Sequence, residues 1–415
     1  MIKQNGKVSD MLNFYKDIDV FQLEEQYGTP LYIYNEEILR NRCRDLKNLV
    51  PYKNFSVNYS AKANSNLSFL KIVKEEGLNV DAMSPGEIFV EMEAGFKPEQ
   101  IFYISNNVSK EEMQYAIDRG IMISIDSLSQ LEQYGQINPN SKVAIRFNPG
   151  VGAGHSDKVI TGGKKTKFGV NMEYIPEVKK ILAKYNLTLE GINQHIGSLF
   201  MDGQPYIDSL HSIKTIVSAF DSINFVDLGG GFGVPYHKED DESPIDLKDL
   251  STKVNKFMED LSNEVGRNLH FKIEPGRYIS AECCVLLGKI HSTKYNGDNK
   301  YVGTDLGFNT LQRPVMYDSH HSVEVYTKNK EKRKIEPVNL VGNICESGDI
   351  MATNRNLPEM KVGDLVAVMD AGAYGYCMAS NYNNRLRPAE VLITKDGNVK
   401  LIRERDTLQD LIKGM

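Results

Sequence analysis

A chain of 415 residues exceeds one ordinary core and suits two domains, or a barrel with a smaller domain. Its 25% charged and 41% hydrophobic residues match an ordinary globular protein. The 49 basic and 55 acidic residues, a formal net charge of -6, are mixed along the chain, with no basic block for nucleic acid and no acidic tail for a charged partner.

From the N-terminus, Met1–Asp10 is polar and lacks the charged-then-apolar run of a signal peptide, and no later stretch approaches a membrane span. Residues 1–35 hold one apolar-periodic stretch and a short predicted strand, Pro30–Tyr34. A helix is predicted from Glu36 to Leu49, closed by Pro51. A beat of β-rich runs alternating with helical patterns follows. The predicted strands are Phe55–Ala61, Asn79–Met83, Ile101–Ile104, Met122–Ile125, Lys142–Phe147, Leu189–His195, Asn224–Leu228 and Leu269–Ile273. Helical segments such as Asn66–Glu76, Pro85–Ala94, Lys110–Arg119, Ile175–Tyr185, Ile207–Phe220 and Asp246–Val265 lie between them. Eight such units predict an α/β fold, a TIM (β/α)8 barrel over residues 36–282, with an open doubly wound sheet as the alternative. The long connections Asn148–Met172 and Gly229–Pro244 have the composition of functional loops.

From Cys283 the beat changes. Short β-rich runs at Val285–His291, Lys300–Val302, Val323–Tyr326, Val338–Val341, Leu365–Met369, Glu390–Ile393 and Val399–Leu401 follow with few helices between them. They predict a second, all-β sandwich or barrel domain over 283–415, with 1–35 packing against it. Cys43, Cys283, Cys284, Cys345 and Cys377 form an odd set without CxxC spacing. Neither a disulfide framework nor a metal site is expected, and the chain reads as cytoplasmic.

In a TIM barrel the chemistry gathers at the C-terminal ends of the strands. Here those ends carry Lys62, then Asp81 and Ser84, Arg146 and Asn148, His195-Ile196-Gly197-Ser198, the glycine-rich run Gly229–Gly233, and Glu274-Pro275-Gly276-Arg277. A lysine at the tip of a buried strand is unusual, because desolvating an ammonium group is costly unless it is paired or used. One use is a Schiff base with a carbonyl, although a lone lysine more often snorkels to solvent. Consecutive glycines let the backbone approach an anion closely, and a barrel's phosphate site usually follows strands seven and eight; glycines alone also suit a tight turn. His195 alone is more often a satisfied core histidine, and Glu274 alone a partner for Arg277. Together with Lys62 and the glycines, they match what pyridoxal 5'-phosphate (PLP) requires: an imine lysine, a carboxylate for the pyridinium nitrogen, an anion site and a flat group against the ring.

Three further stretches lie in the second domain. Leu311–Tyr317 offers a guanidinium and a phenol suited to a carboxylate, Cys345–Asp349 sets a thiol beside two acids, and Asp370–Gly375 is a glycine-rich turn. Taken singly, each more often serves structure: a surface ion pair, an inert cysteine, a turn.

With these residues in order, the chain resembles the diaminopimelate decarboxylase family, among the alanine-racemase-like (fold-type III) PLP enzymes, from roughly Gly28 to Leu411. The resemblance rests on Ala61–Asn66, His195–Ser198, Gly229–Gly233, Glu274–Arg277, Arg313–Tyr317, Cys345–Asp349 and Asp370–Gly375. It implies that Lys62 carries PLP, His195 stacks on the ring and Glu274 holds the pyridinium nitrogen. Ser198, Gly229, Gly230, Gly231, Gly276 and Tyr374 would surround the phosphate. Arg277, which also borders the cofactor, would join Arg313, Tyr317 and Tyr374 in taking the carboxylate of the substrate's far end, with Glu346 on its amine. Cys345 would protonate the carbanion left by CO2. In the family Cys345 and Glu346 reach the site from a second subunit, so a homodimer with shared active sites is expected. The implied reaction converts meso-diaminopimelate to L-lysine and CO2.

Three positions depart from the family pattern: Tyr278 after Glu-Pro-Gly-Arg, as in ornithine decarboxylases, Thr310, and Leu386 within a usual Arg-Pro-Arg-Pro run. The alternatives are a decarboxylase of ornithine or lysine on the same fold and an amino-acid racemase. Ornithine decarboxylases usually carry Cys-Asp-Gly where this chain has Cys345-Glu346-Ser347, and racemases lack that stretch. A non-enzymatic PLP carrier would be shorter and lack the β domain, and a cofactor-free Schiff-base aldolase would show no pyridoxal chromophore.

Overall fold

Eight parallel strands close into a barrel: β1 (Phe55–Ser60), β2 (Asn79–Ala82), β3 (Ile101–Ile104), β4 (Met122–Ile125), β5 (Lys142–Arg146), β6 (Thr188–Asn193), β7 (Phe225–Asp227) and β8 (His270–Ile273), with β8 pairing back onto β1. This is the predicted TIM barrel. The computed structural model describes residues 1–415 except 105, 153, 155–157, 159 and 164–165. The connection 148–172, expected as a functional loop, therefore lies partly outside the described residues. Two units divide the chain: Arg42–Val234 with Pro244–Tyr278, and Met1–Asn41 with Pro235–Ser243 and Ile279–Met415. The stretch Pro235–Ser243, inside the predicted barrel span, thus groups with the β-rich unit. No helix among the described residues is long and apolar enough to cross a membrane.

Period-2 alternation explains the barrel interior. On β1, Tyr59 packs outward on Phe69 of the helix Leu67–Glu75, with ring centroids 5.4 Å apart. Ser56 and Ser60 face inward, where they bond His270 Nε2 at 2.9 Å and Asp81 Oδ2 at 2.7 Å. Phe102, Ile104, Ala144 and Phe225 fill a buried apolar layer. Gly191 makes room for the Phe225 ring, which a Cβ there would meet at 2.1 Å. Polar residues collect above this layer, at the C-terminal strand ends. Several strand-to-helix connections close with side-chain caps: Asn66 accepts from Ser68 N–H at 2.9 Å, Ser84 from Glu87 N–H at 3.2 Å and Asp246 from Lys248 N–H at 3.0 Å. These caps set where each helix begins, and so how far each strand end projects.

The other unit holds a mixed ten-stranded sheet. Its longest strand, Cys284–Asn296, pairs with Leu365–Val368, with Leu31–Asn35 and, across a turn at Gly297 (φ +60°), with Asn299–Thr304. The N-terminal strand Leu31–Asn35 lies parallel to Ala389–Ile393. Two strands lie outside the sequence expectations: the two-residue Ile2–Lys3, which pairs with Val323–Thr327, and Ile350–Pro358. For Ile350–Pro358 the reason is visible. Its middle, Thr353-Asn354-Arg355-Asn356, is polar and carries no apolar alternation, and its pairing with Ile335–Val341 through register shifts makes it a strand.

A buried ion cluster pins this unit. Lys238 Nζ lies 2.8 Å from Asp370 Oδ1 and 3.1 Å from Glu282 Oε1, and all three side chains are almost fully enclosed. Burial pushes the Asp370 carboxyl up to about 6 against the pull of Lys238. Lys238→Ala would leave two buried carboxylates without their cation. A loss of about 3–5 kcal/mol is expected, read as a lower urea midpoint of this unit's transition.

Candidate active site

Lys62 sits in a one-turn 3-10 helix, Ala61–Ala63, directly after β1. The turn is held by Tyr59 Oη, which donates to Asn64 O at 3.0 Å. Gly276, just beyond β8, packs against it so closely that a Cβ there would lie 3.0 Å from Ala63 Cβ and 3.1 Å from Ser60 Cβ. The lysine is half-buried and close enough to Asp81, Glu87, Glu274 and His195 to shift the titration of each.

The carboxyl groups around it are dry. Burial pushes Asp81 up to about 7, although Lys62 and the Ser60 hydroxyl pull it down. Asp227 is raised to about 6 by burial, against a 2.9 Å hydrogen bond from Gly229 N–H and the charge of Lys272. Lys272 lies one inward position below Glu274 on β8, 4.1 Å from the Phe225 ring centroid. Glu274 is held far above the carboxylate range by burial first, then by Asp227 and Asp81, with Lys62 opposing. Its Oε1 is buried with no N–H donor against it, and its carboxyl lies within hydrogen-bonding reach of the Asp227 carboxyl. An enclosed acid pair of this kind accommodates a cationic N–H.

His195 presents the opposite case. Burial and the cations Lys62 and Arg146 hold its imidazole well below the usual range, so it is neutral. Its Nδ1 accepts from Gly230 N–H at 3.1 Å, which puts the proton on Nε2 and fixes the ring. The glycine run is demanded by crowding. A Cβ at Gly229 would lie 2.2 Å from Gln194 O, at Gly230 1.9 Å from Glu274 O, and at Gly231 2.6 Å from Gly197 O. The N–H groups of Gly229 and Gly230 are thus committed to Asp227 and His195. Arg277 donates to Ser198 Oγ through Nε at 3.2 Å and Nη2 at 2.9 Å. The barrel unit therefore gathers Lys62, His195, Ser198, Gly229, Gly230, Gly231, Glu274, Gly276 and Arg277 at one end.

The remaining predicted residues belong to the β-rich unit. Arg313 is buried and opens the short helix Arg313–Tyr317, whose Tyr317 is half-buried. Tyr374 has φ +56° in the turn after Asp370. Cys345 and Glu346 are exposed on a turn. The Cys345 N–H donates to Asn383 Oδ1 at 2.8 Å, and Glu346 Oε1 accepts from Tyr382 Oη at 2.7 Å. Asp349, the second acid of that stretch, turns inward to accept from Phe308 N–H at 2.7 Å and Ile344 N–H at 2.8 Å, and so holds the turn.

Two acids escaped the motif reading. Asp227 precedes the glycine run on an inward-facing position of β7, and its alternation with Phe225 was the available signal. Glu91, on the helix Pro85–Glu93, carries no such signal; it is fully buried and both its oxygens are without hydrogen-bond partners.

Comparison with known proteins accords with this geometry. The pyridoxal-binding domain of the pyridoxal-dependent decarboxylases matches residues 36–281. A diaminopimelate decarboxylase of Methanothermobacter thermautotrophicus is 40% identical over 405 residues, covering 95% of this chain and 94% of its own. The M. jannaschii diaminopimelate decarboxylase in complex with L-lysine superposes with a TM-score of 0.84 at 34% identity, covering 96% of this chain and 94% of that one. The Helicobacter pylori diaminopimelate decarboxylase complexed with L-lysine gives 0.87 at 30% identity, covering 95% and 98%.

Glu91 makes the cost of the dry acids measurable. Burial, then Asp81 and Glu87, push it from 4.5 up to about 10. Between those values the folded chain keeps a proton that the unfolded chain releases, so stability falls as pH rises, by at most about 1.4 kcal/mol per pH unit. Glu91→Gln should flatten that slope. Urea unfolding at pH 6 and pH 9 is expected to show a smaller loss in the variant than in the parent.

Proposed function

Because the chain belongs to the diaminopimelate decarboxylase family of pyridoxal-dependent enzymes, we propose that it removes one carboxylate of meso-diaminopimelate as CO2 and leaves L-lysine, the closing step of lysine biosynthesis. The observation that carries this reading is the buried carboxyl of Glu274, its Oε1 free of any N–H donor, in the same acid cluster as Lys62. The residues fit PLP: an amine, an acid for the ring nitrogen and a neutral flat histidine share one strand-end face. PLP, when bound, supplies an electron sink for the bond that breaks.

The chain's own residues then divide the work. Lys62 would hold the cofactor through Nζ. Glu274 holds a proton that a pyridine nitrogen can share, and its burial keeps that proton from water. His195, neutral and fixed by Gly230, would offer its flat face to the ring. The phosphate falls to Ser198, Gly231, Gly276, Arg277 and Tyr374, with Gly229 and Gly230 setting the close approach of the backbone. Arg277, Arg313 and Tyr317, with Tyr374, receive the distal carboxylate, and Glu346 its amine. Binding that end by charge selects a two-ended amino acid, because a substrate lacking it would leave those groups unpaired. Cys345 Sγ delivers the proton to the carbon that has lost CO2.

Cys345 and Glu346 are exposed in the single chain, which supports their acting in the site of a second copy, within a homodimer. The odd set of five cysteines without CxxC spacing favours the cytoplasm.

A substrate panel tests the reading directly: meso-diaminopimelate should be turned over far faster than ornithine or lysine, and comparable rates on ornithine would overturn the assignment. Cys345→Ala should lose about 10²–10⁴-fold in turnover with the cofactor absorbance intact. Lys62→Ala should lose nearly all activity. Mixing these two inactive variants should restore activity in mixed dimers, whereas no rescue in confirmed mixed dimers would mean self-contained sites.

A further inference from the structure

Arg313 is almost fully buried, so its guanidinium must be oriented by the protein before any anion arrives. Its Nη1 lies 2.7 Å from His321 Nε2. Its Nη2 reaches Ser319 Oγ at 3.4 Å, and its guanidinium carbon stands 4.4 Å from the Tyr236 ring centroid. His321 meets the same tyrosine edge-on, with centroids 5.2 Å apart. On its other side, His321 Nδ1 lies 2.7 Å from Met369 O.

Those two contacts determine the tautomer without ambiguity. A carbonyl oxygen only accepts and a guanidinium only donates, so Nδ1 carries the proton and Nε2 is the bare acceptor. Met369 is itself fixed, because its N–H donates to Ser322 O at 2.9 Å. It directly precedes Asp370, which the buried Lys238 holds. The guanidinium is therefore tied through His321 to a backbone atom beside the unit's ion cluster.

We infer that His321 is a positioning residue for the substrate's distal carboxylate, acting through Arg313 as a neutral hydrogen-bond acceptor; this rests on the role of Arg313 proposed above. The choice of imidazole has a physical reason. A carboxylate in its place would orient the guanidinium equally well but would cancel its charge and compete with the substrate's own carboxylate. Neutral imidazole fixes the direction of the fork without adding a negative charge to it. The Tyr236 ring touches both groups, the guanidinium at 4.4 Å from its centroid and the imidazole edge-on, and limits their rotamer freedom.

The test compares His321→Asn with His321→Gln in the PLP-loaded enzyme. Asparagine keeps a donor near Met369 O but falls short of Arg313, whereas glutamine places an acceptor oxygen near the position of Nε2. His321→Asn should raise KM for diaminopimelate about tenfold or more, with kcat within about threefold, and His321→Gln should restore most of the loss. His321→Phe keeps the ring on Tyr236 without the acceptor and should behave like asparagine; cofactor absorbance should be unchanged in all three. A ring with a purely structural role predicts the reverse, with phenylalanine tolerated and glutamine damaged, and that result would overturn the inference. Arg313→Ala and the double variant with His321→Asn separate the two readings. Arg313→Ala raising KM, with no further rise in the double variant, supports both. Arg313→Ala raising KM while His321→Asn leaves it unchanged overturns the His321 role alone. A normal KM in Arg313→Ala overturns the carboxylate role and this inference with it.

Discussion

Closing a parallel barrel forces alternate side chains of eight strands into one interior, and the chemistry depends on what that does to carboxyl groups. Asp81, Asp227 and Glu274 all reach the same dry end of the barrel, where burial is the largest influence on each and keeps them from ionising as they would in water. The nearby cations Lys62 and Lys272 offset this only in part. The result is a pocket of acids with protons to share beside one lysine amine. An open sheet would let water reach these groups and return them to ordinary carboxylates.

Backbone crowding is the second consequence of closure. The strand ends carrying Gln194, Gly229 and Glu274 approach until only glycine fits between them. The same crowding commits the amides of Gly229 and Gly230 to Asp227 and His195, and so fixes the imidazole as a neutral, flat surface. The glycine run therefore works by letting two strand ends touch as much as by facing an anion. Position-by-position geometry distinguishes these uses where composition does not.

The β-rich unit holds the buried cations Lys238 and Arg313 by different means. Lys238 is consumed by Glu282 and Asp370 and stiffens the turn that leads to Tyr374. Arg313 instead lies against a neutral imidazole nitrogen. The two buried cations differ in whether the contacting partner is an acid or a neutral acceptor.

Much of this was legible in residue order. β-rich runs alternating with helical patterns marked all eight barrel strands, and the polar strand ends after them brought Lys62, His195 and Glu274 together as a set. The strand Ile350–Pro358 was hidden because its side chains are polar and only its partner makes it extended. Asp227 was hidden because a strand-end acid next to glycines looks like part of a turn, and Glu91 because an acid on an amphipathic helix normally faces solvent. The sequence by itself determined the order of elements, the family and the chemical types available at each strand end, since these follow from local periodicity and motif. Only the tertiary structure decided which acids are kept from water, which glycine amides are already spent and which nitrogen of His321 bears its proton. Desolvation and hydrogen-bond direction are set by neighbours brought from distant parts of the chain, and no local pattern encodes them.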